Sequence, residues 1–412
     1  MRLVLVLALM LAGAVPVAAT AATSRPNAVD VRVDHLSNSI LLARPASALV
    51  DPERQVAARR LDRLVLPGWI ASIVLQIVIL AYFWQSGTAA RLRDWLRRRQ
   101  RSELAVRFQF GFVLGLLARV SALIPEFYLY RVARSMSLSD QLLRAWTLEW
   151  LIGALLTSCA IGIAVVLILW LVERTHQWYV YVIAGIFIVT YGATFLKPFV
   201  SPFYDRFAAL PPAAAQVVRR IERRAGHDVP VVAQARSRSH LGAAYVEGVG
   251  PSQRIVLSDS LLAAASAPEL RYIVAQQLGY VDGGDAFRLA LLDALWVVIG
   301  SALAVAVADR IGFRRDDDPV ARLALVAALL GVAYLAVVPF YHAAQRRIAR
   351  ETQTYALELT RQPAAAVRTI VRASDQSLRS VCASPIDTFF LERTDDPAHR
   401  VAAANHVPPT CT

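Results

Sequence analysis

The sequence predicts a mostly α-helical, polytopic membrane bundle that carries a soluble α+β domain split in two by a helical hairpin. Three observations lead there. Of 412 residues, 56% are hydrophobic, and the mean hydropathy is +0.45, a balance that soluble globular chains rarely reach. Six apolar runs lie near the ~20 residues that a bilayer crossing needs. Between the fourth and fifth runs lies the only long polar interval, residues 200–285.

Residues 1–23 open with Met1-Arg2, continue with the apolar run Leu3 to Val15, and end in a small-residue stretch, Pro16 to Ala22. That order reads as a secretory signal peptide, with a retained first membrane helix as the alternative. Residues 24–63, with Pro26, Pro45 and Pro52, read as a short soluble segment. Residues 64–199 read as a membrane domain of four spans: Leu64–Trp84, Phe108–Leu123, Trp150–Val172 and Trp178–Leu196. Residues 286–342 hold two more, Leu289–Val307 and Leu323–Tyr341, as a hairpin. Tryptophans near several ends fit interfacial anchoring. Arg119 and Asp293 fall inside spans, where a charge is expected to face the bundle interior or a cavity. Residues 343–412 form the second soluble piece, which is expected to join 200–285 in one domain.

The net charge of +13 comes almost entirely from arginine. No basic stripe is interleaved with aromatics, so nucleic acid is not an expected partner; the lipid bilayer is. Loop 86–104 carries Arg91, Arg93, Arg97, Arg98, Arg99 and Arg101. This loop is expected in the cytoplasm, which puts 200–285 on the opposite, periplasmic face of a bacterial inner membrane. The three cysteines form no C-x-x-C motif; Cys382 and Cys411 could pair in an oxidising compartment. There is no internal repeat and no low-complexity tract.

Within 200–285, Val229–Val232 and Arg254–Leu257 read as short strands, punctuated by Gly242, Gly248 and Gly250. Ser266-Ala-Pro-Glu269 is a capping box with an early proline, so a helix should run from about Ala267. On it stands Gln276-Gln277-Leu278-Gly279-Tyr280. Positions 276 and 280 share a helix face, the geometry of H-E-x-x-H, in which two histidines bind zinc and the glutamate is a general base. Here glutamine, glutamine and tyrosine occupy those three places. Alone, such a pattern is an ordinary polar helix face.

Its surroundings raise its weight. Ala243-Ala-Tyr-Val-Glu-Gly-Val-Gly250, Gln253-Arg-Ile-Val-Leu-Ser-Asp-Ser-Leu-Leu262 and the helix that follows resemble the membrane CAAX prenyl endopeptidases of metallopeptidase family 48. Tyr130-Arg-Val-Ala-Arg, Pro202-Phe-Tyr-Asp-Arg-Phe207 and Arg346-Arg-Ile-Ala-Arg-Glu-Thr-Gln-Thr-Tyr-Ala356 are similar to further elements of that family, so the resemblance covers most of 64–405. It implies a gluzincin-like soluble domain and a zinc metalloendopeptidase activity. It places the third zinc ligand at Ala349, a supporting aspartate at Gln353, a family histidine at Asp285, and the substrate-cleft strand at Ala243, Ala244 and Tyr245. The late H-P element is degraded to Asp395-Asp-Pro-Ala-His-Arg400.

Each substitution has a chemical cost. A catalytic zinc needs three protein ligands and an open position. Glutamine is a poor ligand and alanine is none, while a phenol with a pKa of ~10 is rarely ionised near neutrality. A neutral amide at Gln277 cannot take a proton from water. The histidines that remain, His35, His176, His227, His240, His342, His399 and His406, stand in no ligand spacing. Glu351 is offset by two residues from Ala349, about 200° round a helix, and should point away. No zinc or other cofactor is therefore expected. The expected function is that of a catalytically inactive pseudoprotease that binds peptide or membrane-protein segments. An active metalloendopeptidase with an unrecognised metal site, and a membrane scaffold or partner subunit, are the other readings.

Overall fold

The computed structural model describes residues 32–175, 177–203, 205–235, 242–312 and 319–411. The signal-like segment 1–23, His176 and His240 lie outside them.

A 3-10 turn at Arg32–His35 leads into α1 (Asn38–Ala43) and α2 (Ala46–Leu49), and α3 follows as Pro52–Gln85. Asp51 caps α3 by accepting from the N–H groups of Glu53 and Arg54, with proline at its first position. The helix runs unbroken for 34 residues, about 50 Å at 1.5 Å per residue. The expected boundary at 63/64 is thus a change of hydropathy within one helix. Arg54, Arg59, Arg60 and Arg63 are good helix formers, and nothing ends the helix before Gly87, whose φ of +71° suits glycine.

Next come α4 (Thr88–Arg99), α5 (Glu103–Ser121), α6 (Leu123–Ser135), α7 (Leu143–Arg174) and α8 (Trp178–Val200). The second span ends at Ser121 rather than Leu123, because Leu123 opens α6. Arg119 pairs with Glu126 at 3.0 Å and lies over the Trp150 ring at 5.8 Å, so its charge is spent between helices. Small residues let α5 and α7 approach closely: a Cβ on Gly111 would sit 2.9 Å from the Gly162 Cα, and one on Gly115 would sit 2.9 Å from the Ser158 Cα.

The soluble part begins with β1 (Phe207–Ala208), α9 (Pro212–Ala225), β2 (Val231–Gln234), β3 (Ala244–Glu247), β4 (Arg254–Ser258) and α10 (Asp259–Ala264). The sheet has the order β1-β2-β4-β3; β2 is parallel to β4 and the other pairs are antiparallel. Then come α11 (Ala267–Asp282), α12 (Asp285–Gly312) and α13 (Pro319–Thr360). The expected break at 342/343 is again internal to a helix, since α13 carries the sixth span on into the soluble domain. Last come α14 (Pro363–Ser377), α15 (Pro385–Phe390) and α16 (Pro397–Asn405). A disulfide joins Cys382 to Cys411.

Among the described residues, six helices are long and apolar enough to cross a membrane, carried by α3, α5, α7, α8, α12 and α13. Exposed Leu151, Leu155, Ile163 and Leu167 on α7 suit lipid. One hydrophobic core unites Val33, Leu41 and Leu49 with Val218, Ile255, Leu278, Val367 and Val401. The N-terminal segment and both soluble pieces therefore share a single interior. Four spanning-length helices separate residues 32–51 from residue 207, and an even number returns the chain to the same face. On the other face, Val320 and Ala324 of α13 pack in a second core with Ala89 and Leu96 of the arginine-rich α4.

Candidate functional site

The capping box predicted for α11 is formed: Glu269 Oε2 accepts from the Ser266 N–H at 2.8 Å. The other Glu269 oxygen pairs with Arg372 of α14 at 2.8 Å. Leu270, Ile273, Val274 and Leu278 bury one side of the helix in the core. Gly279 meets α13 so closely that a Cβ there would lie 2.9 Å from a Tyr355 ring carbon. This close approach brings the polar face of α11 opposite α13.

The result is a pocket of about 190 Å³ into which Gln276, Gln277, Tyr280 and Ala349 all face. Residues about seventy positions apart, on two helices joined through a membrane hairpin, thus line one space. Gln345, Ala349 and Thr352 present one stripe of α13 to it, and Leu289 and Ile348 give it apolar walls. Arg393 and Thr394 close the rim from the loop after α15.

That loop is held from two sides. Arg346 Nη1 donates to the carbonyls of Thr388 and Glu392, both at 2.7 Å. Arg379 donates to the Thr394 hydroxyl at 2.6 Å and to its carbonyl at 2.8 Å, and it pairs with Glu392. Arg393 stands between these anchors. Its presence in the pocket had no signal in the spacing of the sequence. Gln345 did, because it precedes Ala349 by four residues on the same helix.

The donor set does not fit zinc. The lining residues include no imidazole, thiolate or carboxylate. Burial, with the nearby Asp285 and Asp293 carboxylates adding to it, pushes the Tyr280 phenol up to about 12, so Tyr280 is a neutral phenol at physiological pH. Among the described residues, no group of three or more His, Cys, Asp or Glu side chains is placed to hold a metal ion.

The other expected site residues are dispersed. Gln353 is buried but turns to α16: its amide donates to the Arg400 carbonyl at 2.7 Å, and its side-chain oxygen accepts from Arg400 Nε at 3.0 Å. Asp285 is buried at the start of α12, bound to Arg288 at 3.2 Å. Glu351 points outward to Arg347 at 2.9 Å and Arg288 at 3.6 Å. Of the histidines, His227 is paired with Asp282 and His399 with Asp396, and His342 is buried on α13 without lining the pocket.

Ala244 and Tyr245 lie on β3, which packs against α11 and pairs with β4. Ala243, just before it, exchanges bonds with Ser258: its N–H donates to Ser258 Oγ and its carbonyl accepts from the Ser258 N–H, each at 2.9 Å. The Tyr245 hydroxyl donates to Gln234 Oε1 at 3.0 Å, which fixes the ring across the sheet. Lys197 at the end of α8 sits 5.6 Å from the Tyr245 ring centre. Among the described residues β3 is therefore the last strand of the sheet, anchored to both the sheet and the bundle.

A family model described as CAAX prenyl protease N-terminal, five membrane helices, matches residues 55–206, and one for peptidase family M48 matches residues 212–405. The uncharacterized metalloprotease YhfN of Bacillus subtilis (strain 168) is 25% identical over 304 residues, which is 69% of this chain and 70% of that protein. A CAAX prenyl protease 1 homolog of Taenia solium is 28% identical over 134 residues, 30% of this chain and 28% of that protein. The crystal structure of S. mikatae Ste24p matches with a TM-score of 0.72 over 89% of this chain and 95% of that chain. At 17% sequence identity, that match shows a shared fold.

Proposed function

The chain belongs to peptidase family M48, a family of zinc metallopeptidases, and is a multi-pass integral membrane protein; from this we propose that it is a pseudoprotease, keeping the frame of the family while its zinc and general base are lost. One observation carries the reading. Gln276, Gln277, Tyr280 and Ala349, where the family would have its two histidines, its base and its third ligand, all face one pocket. A single drifted residue would leave a weakened metal site. Four replacements on two helices remove every ligand and the base together.

The binding frame supports a retained role in holding peptides. β3 stands at the edge of the four-stranded sheet, the position that strand addition uses, and the anchoring of Tyr245 and Ala243 keeps that strand in place. The same domain is proposed to face an oxidising, periplasmic compartment. The Cys382–Cys411 pair and the arginines of α4 on the opposite face both favour that orientation.

Metal analysis tests the proposal. The natural protein, purified in detergent at neutral pH, should carry substoichiometric zinc and leave casein uncut. The quadruple variant Gln276→His, Gln277→Glu, Tyr280→His, Ala349→Glu should bind about one zinc per chain. Stoichiometric zinc in the natural protein, with casein cleavage that a chelator stops, would establish an active endopeptidase instead. No zinc in the quadruple variant would break the assignment of these four positions.

A further inference from the structure

The former metal pocket has changed the sign of the ligand it suits. Six polar side chains with N–H or O–H donors, Gln276, Gln277, Tyr280, Gln345, Thr352 and Thr394, line it with the cation Arg393, and no acid does. A metal site needs the opposite, lone pairs and negative charge.

The charges around the pocket sharpen this. Asp285 has Arg288, Glu351 has Arg347, Glu392 has Arg379 and Asp395 has Arg350. Each of these four carboxylates has its own arginine. Asp293, hydrogen-bonded to Tyr341, is near enough to Arg393 to feel its charge but makes no ion pair with it. Arg393 itself is exposed on the rim and makes no hydrogen bond or ion pair among the described residues. The carbonyls of Glu392 and Thr394 on either side of it are held by Arg346 and Arg379, so the side chain projects from a tethered loop. Inside, Gln345 Oε1 is buried without a partner. A buried polar atom left unpaired marks a place that a polar ligand or water completes, and the amide can turn to present its NH₂ instead.

We infer that this pocket binds a carboxylate of the peptide held by the domain, with Arg393 as the charged partner and the amides of Gln276 and Gln277 and the Tyr280 hydroxyl as neutral donors. The inference rests on the peptide-binding reading above and adds what the bound segment must carry. A guanidinium is suited to this role because its planar fork matches a carboxylate. The phenol stays protonated, and so remains a donor.

Fluorescence anisotropy on the full-length protein in detergent tests it, with three labelled hexapeptides of alternating threonine and valine. The first ends in a free carboxylate, the second in an amide, and the third in an amide with aspartate as its last residue. The free acid should bind about tenfold tighter than the amide, the range of one or two charge-assisted hydrogen bonds. Arg393→Gln should erase that difference while amide binding is unchanged, which also shows that the variant is folded. Gln276→Glu, which places a like charge in the pocket, should erase it too. A gain by the aspartate peptide alone identifies a side-chain carboxylate as the ligand; a gain by the free acid identifies a chain terminus. Equal binding of all three overturns the inference and leaves peptide binding standing, and so does a preference that survives Arg393→Gln. Absence of binding by any peptide up to about 1 mM overturns the inference and the peptide-binding reading together.

Discussion

Single residues decide what the pocket can do, and two buried groups outside it make the same kind of argument testable. Arg400 is held on α16 by Gln353, and burial holds its guanidinium below its ordinary range. Gln353→Leu would remove a side-chain oxygen that accepts from that guanidinium, and should cost about 2 kcal/mol, read as a lower melting temperature in detergent. Asp375 is fully buried and accepts from the Asp51 N–H at 3.2 Å; burial pushes it up to about 6. The folded chain therefore holds this proton to a higher pH than the unfolded chain does. The stability that Asp375 contributes should be fullest below about pH 4, fall as pH rises towards about 6, and then level off. Asp375→Asn should flatten that part of the pH–melting profile, a change on the order of 3 kcal/mol.

The elements of the bundle were legible because lipid imposes a strong demand: a helix that crosses it must be long and apolar. Boundaries were less legible. Hydropathy reports where lipid starts, whereas α3 and α13 run on through the interface into the soluble domain. That continuity couples the bundle to the pocket, since α13 is both the sixth span and the wall that bears Gln345 and Ala349. The α5–α7 seam depends on missing side chains. Gly111→Leu should overpack it and cost about 1–3 kcal/mol, seen as lost monodispersity or a lower melting temperature. Gly185→Ala on α8, where an added Cβ meets nothing within 4 Å, should stay within about 0.5 kcal/mol.

For the whole molecule, topology and redox state are linked. The even number of spans between residue 51 and residue 207, and the shared core on one face, require the N-terminal segment and the disulfide to lie together, opposite α4. Alkaline phosphatase fused after residue 411 should be active in bacterial cells, and the same enzyme fused after residue 100 should be inactive. The reverse pattern would invert the protein in the membrane. Cys382→Ser should then cost about 3 kcal/mol, as expected for opening a closed loop of this size, with the loss mimicked by reductant.

What the sequence by itself determined was the chemistry and the membrane plan. Side-chain identity at 276, 277, 280 and 349 does not depend on folding, and neither does the apolar length of six runs. Only the tertiary structure could decide which of the remaining residues join the pocket. Gln353 and Asp285, one helical step or turn from it, are drawn away by Arg400 and Arg288. Arg393, forty-four residues beyond Ala349, is brought in by a loop that two other arginines hold. Spacing along one helix fixes which residues share a face, but meetings between segments far apart in sequence depend on packing and on which partner satisfies each buried charge. Those are properties of the folded chain.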